Sequence, residues 1–187
     1  MKSKEEDHVW IEQVLKGKPE AFGPLVDRYQ HSIYAVVNRI IKNTAESEDI
    51  TQMVFIKAFE ALQGFNHKSL FSTWLHRIAY NTAISAYRKR TVPIVSLDEL
   101  SIGGYNFSDK NEFNDEKEAQ LQQLETALEL LAPEDQLMIH YYYTQNYSID
   151  QISEISKLST SNVKVKLFRI RKKLQELMQS VTNTCLN

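Results

Sequence analysis

The stretch SIDQISEISKLSTSNVKVKLFRIRKKL, residues 148–174, decides the fold of the second half of this chain. Ser148 with Gln151 three residues later is a capping-box pattern, which starts a short helix carrying Ile149, Ile152 and Ile155 on one face. Ser156-Lys157-Leu158 supplies a turn, and Ser159 or Thr160 caps a longer helix behind it. Short helix, tight turn and long basic helix make the helix-turn-helix layout.

Projection of the second helix at about 100° per residue separates two faces. Val163, Leu167, Ile170, Leu174 and Leu177 fall within about 80° of arc and form a core stripe. Ser161, Val165, Phe168 and Lys172 lie opposite, flanked by Asn162, Lys164 and Arg169. A structural surface helix has little reason to expose Val165 and Phe168 among so many cations. Apolar groups can touch thymine methyls while the amide and cations reach base edges and phosphates. The charge placement agrees. The whole chain carries a net charge of -2, yet from Lys157 to Lys173 every ionised side chain is positive, Lys166 and Arg171 included. A polyanion site is expected on this helix.

Working outward, the second block runs from about residue 116 to 178, opening with Leu121, Leu124, Leu128 and Leu131 at helical spacing. Pro133 suits the first turn of another helix. Residues 91–115 lose all periodicity and hold Pro93, Gly103-Gly104 and an excess of acid. They read as a flexible acidic linker between two domains, being longer than most loops inside one. The first block, residues 5–90, reads as four helices. Gly17-Lys18-Pro19 ends the first, and Asn43-Thr44 ends a second striped with Phe22, Leu25, Ile33, Val36, Val37 and Ile40. Thr44 or Ser47 is placed to cap the third, and the fourth spans about residues 69–90. The predicted fold is therefore all-α, two small helical domains with the helix-turn-helix in the second.

On the third helix Ile50, Val54, Phe55, Ala58, Ala61 and Leu62 share one apolar face. Asp49, Met53, Ile56 and Glu60 share the other, with Gln52 adjacent, so apolar groups stand among polar ones as in a protein interface. On the fourth helix Arg77, Asn81, Ser85 and Arg88 align within about 80°. The loop before it, Asn66-His67-Lys68-Ser69, offers short polar groups able to hold an unstacked base. Trp74 reads as core.

Three stretches resemble one family, the extracytoplasmic-function sigma factors of RNA polymerase. Residues 152–174 resemble its region four, which recognises the promoter -35 element. Residues 46–59 resemble the core-polymerase-binding helix of region two, and residues 65–84 the loop and helix that open and read the -10 element. Lys157 departs from the glycine usual in the family's turn, so some strain or a different turn shape is expected there, and Ser85 departs from the aspartate often found at its position. The resemblance spans about residues 10–90 and 118–177, two blocks in the expected order. It implies an alternative sigma factor whose Asp49, Gln52, Met53 and Ile56 bind the polymerase clamp helices. Asn66, His67, Lys68, Ser69, Arg77, Asn81 and Arg88 would serve the -10 element. Ser161, Asn162, Lys164, Val165, Lys166, Phe168, Arg169, Arg171 and Lys172 would serve the -35 element. Implied partners are core RNA polymerase, through its clamp helices and the flap of its large subunits, promoter DNA and an anti-sigma factor.

Other classes find less support. His8, His31, His67, His76 and His140 show no metal-ligand spacing, and no Gly-rich phosphate loop or nucleophile motif occurs, so no enzyme, cofactor or metal is expected. A ligand-responsive helix-turn-helix regulator is the competing reading. It needs a sensing pocket where the first block instead offers basic and mixed surfaces. The single cysteine, Cys185, points to a reducing compartment. The opening stretch has no signal-like apolar run and no segment is apolar enough to insert in a membrane, so the cytoplasm is expected.

Overall fold

A computed structural model describes the backbone of residues 2–91 and 115–185. Eight α-helices, and no strand, occur among them: α1 Lys2–Leu15, α2 Gly23–Ile41, α3 Thr44–Glu60, α4 Phe71–Thr91, α5 Asp115–Glu129, α6 Pro133–Ile139, α7 Ile149–Ser156 and α8 Thr160–Cys185. The expected linker, apart from its two end residues, lies outside the described residues. Thr91 and Asp115 belong to the helices on either side.

The breaks follow local chemistry. Gly17 adopts φ +88 after α1, a conformation that costs glycine little. Pro19 then opens a 3₁₀ turn, Pro19–Phe22, that feeds α2. Asn43, rather than Thr44 or Ser47, caps α3, its side chain accepting from the Glu46 N–H at 2.9 Å. Ser47 is instead buried and donates to Asn38 Oδ1 at 3.1 Å. In α7 both halves of the capping box form: Gln151 N–H donates to Ser148 Oγ at 3.2 Å and Ser148 N–H to Gln151 Oε1 at 2.9 Å. Ser159 receives the Asn162 N–H at 3.2 Å and so caps α8.

The α7–α8 turn is left-handed at Lys157, φ 60 and ψ 19. A side chain bearing a Cβ is disfavoured there. Lys157→Gly should raise stability by about 0.5–1 kcal/mol, the relief from Cβ crowding exceeding glycine's entropy cost. An unchanged or lowered melting temperature in calorimetry would contradict that.

The core of the first group is built from Leu25, Ile33, Val36 and Val37 of α2, Val54 and Ala58 of α3 and Leu75, Ala79 and Ala83 of α4, all at or near zero exposure. The small residues on α4 let it approach α2 and α3 closely. The amino-terminal helix is anchored by charge. Buried Asp7 accepts from Arg28 Nη1 at 2.6 Å and from the Tyr29 hydroxyl at 2.5 Å, and Arg28 also pairs with Glu6 and lies over the Trp10 ring at 4.4 Å. Burial, together with the Asp7 carboxylate, pushes the Tyr29 phenol well above its ordinary value.

In the second group α8 lays its stripe of Val163, Leu167 and Ile170 against α5, α6 and α7. Two expectations on apolar faces fail locally. Leu121 is exposed, because α5 turns inward only from Leu124, with Ala127 and Leu131 buried. Ala61 is also exposed, because α3 has already ended at Glu60. The aromatic run His140–Thr144 forms a single π-helical turn after α6, burying His140 and Tyr141 while Tyr143 stays exposed. The fold is all-α with two helical domains, as expected, and the two pack against each other. The face of α4 packs on α7, and α2 packs on α6, so the buried side chains of both halves form one continuous cluster.

Candidate nucleic-acid interface

On α8 the observed burial matches the two faces read from the sequence. Ser161, Asn162, Lys164, Arg169 and Lys172 are exposed. Phe168 is 65% and Val165 48% exposed. Helix geometry gives the reason. With Val163, Leu167 and Ile170 committed to the core, residues two positions away in the repeat have to face outward. Lys166 and Arg171 stand on the two flanks and already have partners. Lys166 Nζ lies 3.1 Å from Asp135, and the Arg171 guanidinium 5.8 Å from the rings of Tyr142 and Tyr143. Sequence spacing gave no sign of these partners, since both come from α6 and the turn after it.

The loop before α4 is shaped by its own polar groups. Asn66 Oδ1 accepts from the Lys68 N–H at 3.2 Å, and His67 takes a left-handed φ of 56. The His67 ring packs on Phe65 at 4.7 Å and on His8 of α1 at 4.8 Å. Asn66, His67 and Lys68 are exposed and Ser69 is half-buried, at the edge of a cleft of about 520 Å³ whose wall is Asp7, His8 and Tyr29. The contribution of α1 to this cleft was invisible in sequence, because it depends on how α1 folds back. Trp74 is half-buried against Phe65 and Phe71, with ring centroids 5.2 and 5.6 Å away, as a core residue would be.

Along α4 the polar stripe is present. Asn81, Ser85 and Arg88 are exposed and Arg77 half-buried, while Asn81 donates back to the Arg77 carbonyl at 2.8 Å. Arg88 reaches across to α6 and pairs with Glu134 at 2.8 Å. The cationic end of α4 is thus tied to the second group in this conformation.

On α3, Asp49 and Gln52 are exposed beside Met53, 45% exposed, and Ile56, 58% exposed. Phe59 joins them at 41%, its ring edge-on to Phe22 at 5.2 Å. The sequence reading missed Phe59. Its helical angle, one turn after Phe55 and beside Gln52, was the available signal. Three large apolar groups on one helix face, ringed by polar ones, form a surface of the composition seen in protein–protein contacts. Among the described residues no cluster of His, Cys, Asp and Glu is arranged to hold a metal, and no helix is long and apolar enough to cross a membrane.

Comparison with known proteins fits this arrangement. The Sigma-70 region 2 model matches residues 25–92, and the Sigma-70, region 4 model matches residues 121–174. The chain is 32% identical over 181 residues to the ECF RNA polymerase sigma-E factor of Escherichia coli strain K12, covering 92% of this chain and 94% of that protein. Among solved structures, CnrH in complex with the cytosolic domain of CnrY superposes with a TM-score of 0.66 at 22% identity, over 94% of this chain and 98% of that one. The sigma factor RpoE of Bartonella quintana, solved with the anti-sigma factor NepR, gives 0.60 at 21% identity over 84% and 96%. Those two likenesses speak for the fold. Two region models in series and a full-length relative set aside the ligand-responsive regulator. The chain belongs to the extracytoplasmic-function sigma factors, the alternative sigma factors that bind core RNA polymerase and direct it to particular promoters.

Proposed function

We propose a division of this activity among the surfaces just described. Residues 5–90 act as region two and residues 116–178 as region four, with residues 91–115 joining them. The α3 face of Asp49, Gln52, Met53 and Ile56 docks on the clamp helices of core polymerase, and the second domain meets the flap. The α8 face of Ser161, Asn162, Lys164, Val165, Phe168, Arg169 and Lys172, with Lys166 and Arg171 at its flanks, enters the major groove of the -35 element. Asn66, His67, Lys68 and Ser69 receive unstacked bases of the -10 strand, while Arg77, Asn81 and Arg88 follow its backbone.

The carrying observation is α8. One face is sealed into the core and the other presents Phe168 and Val165 between cations. Cations alone would serve any polyanion, whereas exposed apolar groups beside an amide suit base edges and thymine methyls. The chain supplies binding and strand capture, and RNA synthesis stays with the polymerase. Such work places the protein in the cytoplasm. An anti-sigma factor that covers the docking surfaces is the expected antagonist, as one of the fold relatives was solved with one.

Run-off transcription with purified core enzyme and a panel of candidate promoters tests the reading. Specific starts that depend on this chain are expected. If the chain neither binds core nor initiates on any promoter, the reading is wrong.

A further inference from the structure

Two imidazoles are buried where the two helical groups meet. His76, on α4, is 2% exposed, and its ring stands edge-on to Tyr141 at 5.5 Å and to Tyr147 at 5.4 Å, both from the second group. Tyr141 and Tyr147 stack on each other at 5.6 Å. His140, at the end of α6, is 5% exposed, with Nε2 3.3 Å from Gln145 Nε2. Nδ1 of each histidine, and the Tyr141 hydroxyl, are buried without a hydrogen-bond partner. Nothing in the promoter-binding surfaces uses these groups.

The surroundings hold both rings neutral. Desolvation by burial is the main cause, bringing His76 down to about 4 and His140 likewise to about 4. The charges around them add to the effect. His140 bears on His76, and Arg39 of α2 bears on His140. The carboxylates of Glu134 and Asp135 on α6, and Arg88 on α4, act instead on Tyr80. From α7 the seam receives the neutral Gln151, which donates to Thr73 Oγ1 at 3.4 Å, while Lys57 of α3 donates to Thr82 Oγ1 of α4 at 3.4 Å within the first group. Among the described residues no carboxylate pairs with either imidazole to receive an added proton.

We propose that His76 and His140 form a proton-operated latch, which when neutral seals the second group onto α4 and when protonated opens the seam. Once the groups part, both rings meet water and regain the ordinary histidine value near 6.5. The open state then binds more protons than the closed one at any pH between about 4 and 6.5. Closure is therefore fully favoured above about pH 6.5 and weakens as pH falls. At pH 5.5 the closed-to-open ratio should drop by about 10-fold for each histidine, roughly 100-fold for the pair, relative to pH 7.5.

Opening matters because of distance, a point that rests on the assignment of α4 and α8 to the two promoter elements. Elements 25 base pairs apart are separated by about 85 Å along B-DNA at 3.4 Å per pair. A compact chain of this length has a radius of gyration of only about 16 Å. The 23 residues between Thr91 and Asp115 can stretch to roughly 80 Å at full extension. The closed form cannot reach both elements, and an opened one has the chain length to separate its two groups widely.

Small-angle scattering of the full chain at pH 7.5 and 5.5, with helicity followed by circular dichroism, tests the latch without polymerase or DNA. The radius of gyration should rise at pH 5.5 with helicity unchanged. The double variant H76F/H140F should stay compact at both values. If that variant loses helicity, H76Q/H140Q gives the same reading with smaller neutral side chains. A wild-type chain whose size does not change between the two pH values overturns the proposal, as does expansion of the neutral variants alongside wild type. Because the readout is shape alone, failure of the latch and failure of the promoter assignment are told apart by scattering and run-off transcription respectively.

Discussion

Replacing Met53 and Ile56 together by aspartate should weaken binding to core RNA polymerase by about 100-fold, with little loss of stability. Truncation of a well-packed apolar anchor at an interface typically costs about 2 kcal/mol or more, near 30-fold in affinity. A carboxylate goes further, since it must be desolvated against the partner or leave a gap. The two residues are one helical turn apart, so their losses will not simply multiply, and 100-fold is the sum expected after that overlap. Folding should barely notice. Both side chains are about half exposed or more, and aspartate in a helix costs only about 0.5 kcal/mol each in propensity. Binding measured by fluorescence anisotropy on purified core, beside a thermal melt, separates the two effects. An unchanged affinity would remove α3 from the docking surface. A melting temperature lowered by 10 °C or more would show that the pair supports the fold instead.

Phe168→Ala with Arg169→Ala should abolish most discrimination for the -35 element, a loss of about 30- to 100-fold for promoter DNA. An arginine at a base edge contributes about 1–3 kcal/mol, and loss of the Phe168 ring removes an apolar contact that neighbouring cations cannot replace. Arg169→Ala alone should cost nearer 10-fold and flatten the salt dependence by about one charge if the guanidinium meets phosphate. Neither change touches the buried stripe of α8, so affinity for core polymerase should hold. Lys166 and Arg171 should matter less. Their charges are partly engaged by Asp135 and by Tyr142 and Tyr143, and neutralising them disturbs those contacts as well. Binding to promoter fragments with intact and scrambled -35 sequences would show the difference. Equal loss on both would mean that the helix holds phosphates and reads no bases.

The α8 and α3 faces were legible because a helix converts sequence spacing into direction. Once Val163, Leu167 and Ile170 are buried, Phe168 must face water, and the chain needs no other information. The capping box at Ser148 and Gln151 was legible for the same reason, being completed within one turn. Reading failed where burial depended on a second element. Leu121 continues a perfect leucine spacing, yet no described element covers it at that height. Asn43 rather than Thr44 caps α3, a difference of one residue that spacing does not resolve. The cleft beside His67 needed α1, more than fifty residues earlier, to fold back against the loop.

By itself the sequence determined the helices, their polar and apolar faces, and the two-block resemblance that places the chain among the sigma factors. Periodicity and capping are local, and each is settled within a few residues. Only the tertiary structure decided that the two groups close on each other, that Arg88 is held by Glu134, and that His76 meets Tyr141 and Tyr147 at a buried seam. Those contacts join residues separated by 46 positions and more, so no helical period encodes them. They arise from which faces remain uncovered after each group has folded.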